Sequence, residues 1–103
     1  MEVKTGVTLS KLCPAMNPAI EILERLHLFL GTNFVITSTH DGAHHERSYH
    51  WTDHAFDFRE YPPTNARLLA MAKEQLPKGF RILLESTTTP HFHVEFHPEE
   101  KVK

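Results

Sequence analysis

The stretch from His91 to Phe96 carries the side chains with the clearest potential for chemistry in this chain of 103 residues. Read as a β-strand, it places successive side chains on opposite faces. One face is apolar and suits a core, whereas the other carries imidazole and carboxylate groups, which bind metal ions. The apolar members are Phe92, Val94 and Phe96, and the polar members are His91, His93 and Glu95.

A second cluster of metal-binding residue types lies upstream, between Ser48 and Asp57. Asp57 is flanked by two phenylalanines, so on a strand it faces away from the core that they enter. If this strand neighbours the one at 91–96, Asp57 and His93 share a face of the sheet, and the preceding polar loop can fold His50 over them. The candidate metal ligands are therefore His50, Asp57 and His93.

Two imidazoles and a carboxylate are a ligand set typical of hydrolytic zinc, which binds three protein groups and leaves a fourth position for water. The residue types alone leave three interpretations open: a zinc site, a polar sheet face without metal, and a site for another metal. Non-haem iron also uses two histidines and a carboxylate. Its usual His-x-Asp element is absent here, which disfavours iron.

Composition limits the remaining choices. The length suits a single domain spanning residues 1–103, and a bound metal would add stability to its small core. A formal net charge of -2 gives no reason to expect nucleic acid as a partner. A single cysteine excludes a cysteine-rich zinc site and an internal disulfide, whereas nine histidines are an unusually high number.

The N-terminal residues Met1 to Pro14 lack the apolar core of a signal peptide, and no apolar run is long enough to span a bilayer. We therefore expect the protein to be synthesised in the cytoplasm. We also expect it to be a monomer. If its substrate lies outside the cell, it must reach that substrate by release or export.

The pattern of apolar residues predicts the elements that position these groups. After an extended lead-in, a helix start is predicted with Asn17 as its cap and Pro18 at its first position, and Gly31 predicts its end. A strand follows at 34–38, a long histidine-rich loop at 39–53 and a strand at 55–58. Residues 61–64 break the chain and offer a cap for a second helix over 68–76, which precedes strands at 80–85 and 91–96. This order predicts an α+β domain with two helices packed on a small antiparallel sheet.

At these positions the sequence resembles the zinc D-Ala-D-Ala carboxypeptidase family, whose fold is shared with the Hedgehog signalling domain. The segment Ser48-x-His50-x-x-Asp53-x-Ala55-x-Asp57 is similar to the family signature SxHxxGxAxD, and His91-x-His93 is similar to its second signature. Asp53 stands in place of the signature glycine. The resemblance implies a Hedgehog/DD-peptidase-like fold, zinc held by His50, Asp57 and His93, and hydrolysis of peptide bonds in peptidoglycan stem peptides by a carboxypeptidase or an endolysin-type endopeptidase.

Catalysis by such a site also requires a proton carrier. Many relatives place a carboxylate three residues before the last ligand, but here Pro90 occupies that position. We therefore interpret His91 as proton carrier or oxyanion stabiliser and Glu85 as a candidate base. Arg47 and Ser48 are candidates for binding substrate, and Glu95 could orient a ligand histidine.

Three functions remain open from the sequence. The first is a zinc peptidase acting on peptidoglycan or a related peptide. The second is a catalytically inactive zinc-binding recognition module, because the Hedgehog relatives use this fold for recognition. The third is a metal-dependent hydrolase of a non-peptide amide, since a fold does not determine a reaction.

Overall fold

Five strands and two helices are formed by the residues that the computed structural model describes, which are 1–7, 14–39, 55–86 and 89–97. Short 3₁₀ turns at Pro14–Met16 and Pro62–Thr64 precede the two helices. The strands are β1 (Glu2–Val3), β2 (Val35–Ser38), β3 (Ala55–Arg59), β4 (Phe80–Glu85) and β5 (His91–Phe96), and the helices are α1 (Asn17–Leu30) and α2 (Asn65–Gln75).

Helix α1 forms where the pattern of apolar residues predicts it, and its buried apolar residues are Ala19, Leu23 and Leu26. Gly31 ends it as predicted, with φ of 76° in the left-handed region that glycine adopts without steric cost. The prediction that Asn17 caps the helix was wrong. The preceding 3₁₀ turn already gives the backbone helical dihedral angles, so Asn17 is a helical residue and the helix has no side-chain cap.

Helix α2 begins after the predicted chain break, and Asn65 stabilises that junction. The Asn65 side-chain oxygen accepts a hydrogen bond from the Tyr61 backbone N–H at 2.9 Å, and its amide donates to Glu60 at 2.6 Å. Thr64 occupies the N-cap position of α2 but makes no side-chain capping bond, because its hydroxyl donates to the Tyr61 carbonyl. Neither helix within the described residues is long and apolar enough to cross a membrane.

The strands form one mixed sheet in the order β1-β2-β3-β5-β4. The short β1 pairs in parallel with β2, so the prediction of a wholly antiparallel sheet was wrong at this edge. The other three pairings are antiparallel, including the predicted pair β4 and β5. The predicted α+β class is confirmed. Because β5 lies between β3 and β4, it has a neighbouring strand on each side.

The core lies between the helices and one face of this sheet. Phe56, Phe58, Phe92 and Val94 are fully buried there, as the period of two along each strand predicts. The Phe58 and Phe92 rings stack at a centroid distance of 4.9 Å across β3 and β5. Because these side chains fill one face, the residues between them must project from the other face, where the functional candidates lie.

Candidate metal centre

Asp57 and His93 are direct cross-strand partners on β3 and β5. Nδ1 of His93 lies 2.8 Å from Oδ1 of Asp57, and the His93 side chain is only 10% exposed. The predicted shared face is therefore confirmed. Because the ladder fixes both backbones, the pair is held in place by the strand register and not by a loop.

His91 lies beside this pair and contacts two acids. Its Nε2 lies 2.7 Å from Oε1 of Glu85, its cross-strand partner on β4, and 3.4 Å from Oδ2 of Asp57. Its Nδ1 lies 2.9 Å from the Thr89 carbonyl oxygen. Both ring nitrogens therefore face acceptors, an environment that suits the doubly protonated, cationic imidazole.

Glu95 continues the arrangement on the other side of His93. Its Oε1 lies 2.6 Å from Nε2 of His93, and its Oε2 accepts a hydrogen bond from Nε2 of His97. Acids and imidazoles thus alternate along the polar face of three strands. We call this array the carboxylate–imidazole chain, and its members in spatial order are Glu85, His91, Asp57, His93, Glu95 and His97.

The alternation of charge shifts the pKa values of His91, His93 and Glu95. Burial lowers the pKa of His93, but the hydrogen bonds and charges of Asp57 and Glu95 outweigh it and raise that pKa to about 8. For His91, burial is again opposed by the Thr89 carbonyl and by the two acids, so its pKa is raised. Burial raises the pKa of Glu95, but the bonds from His93 and His97 more than offset it and leave that pKa lowered. Glu95 is therefore a charged acceptor at neutral pH.

Asp57, Glu85 and His93 offer one ligand atom each within 4.8 Å of one another, a grouping that could hold a metal ion. The donor chemistry fits, because imidazole nitrogen and carboxylate oxygen are ligands of zinc and of other transition metals. The geometry fits as well, since Nδ1 of His93 and Oδ1 of Asp57 lie only 2.8 Å apart. Two of the three predicted ligands are thus brought together. Glu85, predicted as a base, joins them from β4.

A cleft of about 500 Å³ opens beside this group. Two cations, Lys4 and Arg59, line it together with Asp57 and His91, and within the described part of the chain no carboxylate pairs with either cation. Side chains that could bind a metal, next to cations that no carboxylate of the described residues pairs with, suit a substrate that combines a polar bond with an anionic group. The remaining lining residues are Thr37, Ser38, Thr89 and Pro90.

Three of the predicted site residues, Arg47, Ser48 and His50, fall within residues 40–54, which lie outside the described residues. Sequence reasoning missed the role of His97 in this array and left that of Glu95 open. The signal was available, because the period of two that places His93 and Glu95 on one face continues to His97.

Comparisons of the chain with protein-family models, with curated protein sequences and with solved structures found no match. Fold and site together define an α+β protein with a candidate metal centre on its sheet. The family resemblance stays a prediction.

Proposed function

We propose that this protein is a zinc-dependent metallopeptidase with a Hedgehog/DD-peptidase-like fold that hydrolyses peptide bonds in peptidoglycan stem peptides, as a carboxypeptidase or endopeptidase. The observation that carries the proposal is the contact between His93 and Asp57, which lines a cleft together with His91. In this proposal, Asp57 and His93 bind zinc together with His50. The bound zinc supplies Lewis acidity, which activates water and polarises a carbonyl.

Glu85 and His91 supply the proton chemistry in this proposal. Glu85 is the general base, because its side chain is 39% exposed and can reach water while it remains in contact with His91. His91, cationic between its acceptors, stabilises negative charge on the carbonyl oxygen and donates a proton to the leaving amine. Glu85 as base and His91 as proton donor together support an active enzyme, even though Pro90 stands where many relatives of the resembled family have a carboxylate.

Lys4 and Arg59 bind a carboxylate of the peptide. Arg59 is the direct cross-strand partner of His91, so a carboxylate held there lies beside the proton donor. A charge-assisted hydrogen bond of this kind contributes about 1.5–3 kcal/mol. Arg47 and Ser48, which precede β3 in the sequence, are further candidates for this role.

A second candidate function is a catalytically inactive zinc-binding recognition module of the same fold. The observation that favours it is Pro90 in the cleft lining, at the position where many relatives of the resembled family have their base. Both functions require zinc at Asp57 and His93, and only the first requires turnover.

The test measures zinc content and hydrolysis of purified muropeptides on the same preparations. We expect one zinc per chain and cleavage of a stem peptide, and loss of both in Asp57→Ala. Glu74→Gln, which removes an exposed carboxylate from α2, is the matched control and should behave as wild type. One zinc per chain without cleavage of any stem peptide would refute the enzyme and favour the module. Absence of stoichiometric zinc in the wild type would refute both.

A further inference from the structure

The two ring nitrogens of His93 face two different acids. Nδ1 lies on the side of Asp57 at 2.8 Å, and Nε2 lies 2.6 Å from Oε1 of Glu95. A neutral imidazole binds a metal through one nitrogen and carries its hydrogen on the other. Because Nδ1 is the nitrogen on the side of Asp57, a proposed zinc ligand, Nδ1 is the atom that can share a metal with Asp57. Nε2 is then left to carry the hydrogen and donate it to Glu95.

Glu95 is held in place to accept that hydrogen. Its side chain is 14% exposed, and its second oxygen accepts a hydrogen bond from His97, whose side chain is 9% exposed. The His97 backbone N–H donates to the Gly79 carbonyl at 2.8 Å, which ties the end of β5 to the turn before β4. Glu95 therefore cannot turn away from His93 without breaking a buried contact on its far side.

We propose that Glu95 and His97 are positioning residues that fix His93 in the tautomer with hydrogen on Nε2 and so present its Nδ1 lone pair to the metal. Glu95 acts through His93, and His97 acts through Glu95. The inference rests on the proposed zinc site and adds to it the part of the carboxylate–imidazole chain that touches neither metal nor substrate. Removal of an acid that orients a metal-binding histidine typically lowers metal affinity roughly 10- to 100-fold.

The experiment measures the zinc dissociation constant by competition with a chromophoric chelator in Glu95→Leu, Glu95→Gln, His97→Leu and His97→Gln. Glutamine at 95 keeps an accepting oxygen and glutamine at 97 keeps a donating N–H, so each tests rescue relative to leucine. The control is Arg81→Gln. Nη1 of Arg81 lies 3.9 Å from Oε2 of Glu95, but its side chain is 60% exposed and Arg81 is not a member of the carboxylate–imidazole chain. Circular dichroism of each metal-free variant verifies folding, and ¹⁵N NMR of the zinc-loaded proteins reports which His93 nitrogen carries hydrogen.

We expect Glu95→Leu to weaken zinc binding roughly 10- to 100-fold and His97→Leu to weaken it by a smaller factor. Both glutamine variants should recover part of the loss, and Arg81→Gln should bind as wild type. The wild-type NMR signal should place the hydrogen on Nε2. Unchanged affinity in folded Glu95→Leu and His97→Leu, with affinity lost in Asp57→Ala, would overturn this inference and leave the zinc site intact. Unchanged affinity in Asp57→Ala would overturn both. Weakened zinc binding in Glu95→Leu, in a protein that hydrolyses no peptide, would support the inference and refute only the enzyme.

Discussion

His91 of β5 lies directly opposite Glu85 of β4, and Nε2 of His91 is 2.7 Å from Oε1 of the acid. The same nitrogen is 3.4 Å from Asp57, so His91 bridges the candidate base and a candidate metal ligand. His91 and His93 are two residues apart on β5, yet they contact Asp57 through different ring nitrogens. His91 uses Nε2, whereas His93 uses Nδ1. The two histidines therefore make different contacts, although they lie on the same face of the same strand.

Replacement of His91 distinguishes the enzyme from the recognition module. We expect His91→Ala to retain one zinc per chain and to lower kcat on stem peptides by roughly 10²- to 10⁴-fold, because a positioned proton donor is lost. Metal analysis and steady-state kinetics measure the two effects. Glu74→Gln on α2 is the control, and a kcat unchanged by His91→Ala would contradict the assigned role.

Removal of the cations in the cleft tests how the substrate is held. Arg59→Ala and Lys4→Ala should each raise KM about tenfold for peptides with a free carboxylate, as expected from loss of one charge-assisted hydrogen bond. Peptides in which that carboxylate is amidated should show little change in KM. Lys78→Ala, at an exposed site before β4, is a matched control. An equal effect on both kinds of peptide would argue against carboxylate binding.

The pKa of His93 predicts how the stability of the metal-free protein depends on pH. Its value of about 8 lies above the ordinary 6.5, so the folded protein holds this proton more tightly than the unfolded chain does. The resulting stabilisation is fully present below pH 6.5 and is lost as the pH rises through about 8, and it amounts to about 2 kcal/mol.

Urea unfolding in the presence of a chelator, at about pH 6 and about pH 9, measures that loss. His93→Gln removes the group with the pKa of about 8 and should reduce the dependence over this range. The part that remains comes from His91, whose pKa is also raised. A wild-type protein that is more stable at the higher pH, with the metal absent, would show that the sign is wrong.

The stacked phenylalanines support the metal centre from the other face of the sheet. Phe58 is fully buried, so Phe58→Ala should lower the free energy of unfolding by about 3–5 kcal/mol. Phe29→Ala is the matched control, because Phe29 is 69% exposed on α1, and it should change stability by less than about 0.5 kcal/mol. Chemical denaturation measures both. A loss below about 1 kcal/mol in Phe58→Ala would contradict the packing described for β3 and β5.

Local patterns in the sequence determined the element types and the faces of the strands. Period-two alternation separated Phe92 and Val94 from His91 and His93 without knowledge of any partner strand, because side-chain direction in a strand depends only on local geometry. The ligand chemistry at Asp57 and His93 follows equally from residue type. At the start of α1 local signals misled, because the 3₁₀ turn before Asn17 makes Asn17 a helical residue and not a cap.

The tertiary structure decided which of these faces meet. The sequence does not specify that β5 lies between β3 and β4, and this order places Asp57 and Glu85 on opposite sides of one histidine-bearing strand. Register then brings Asp57 opposite His93 and Glu85 opposite His91. Strand order and register depend on packing of the whole core between residues distant in sequence, so local patterns predict the chemical groups at this site, and the fold determines their contacts.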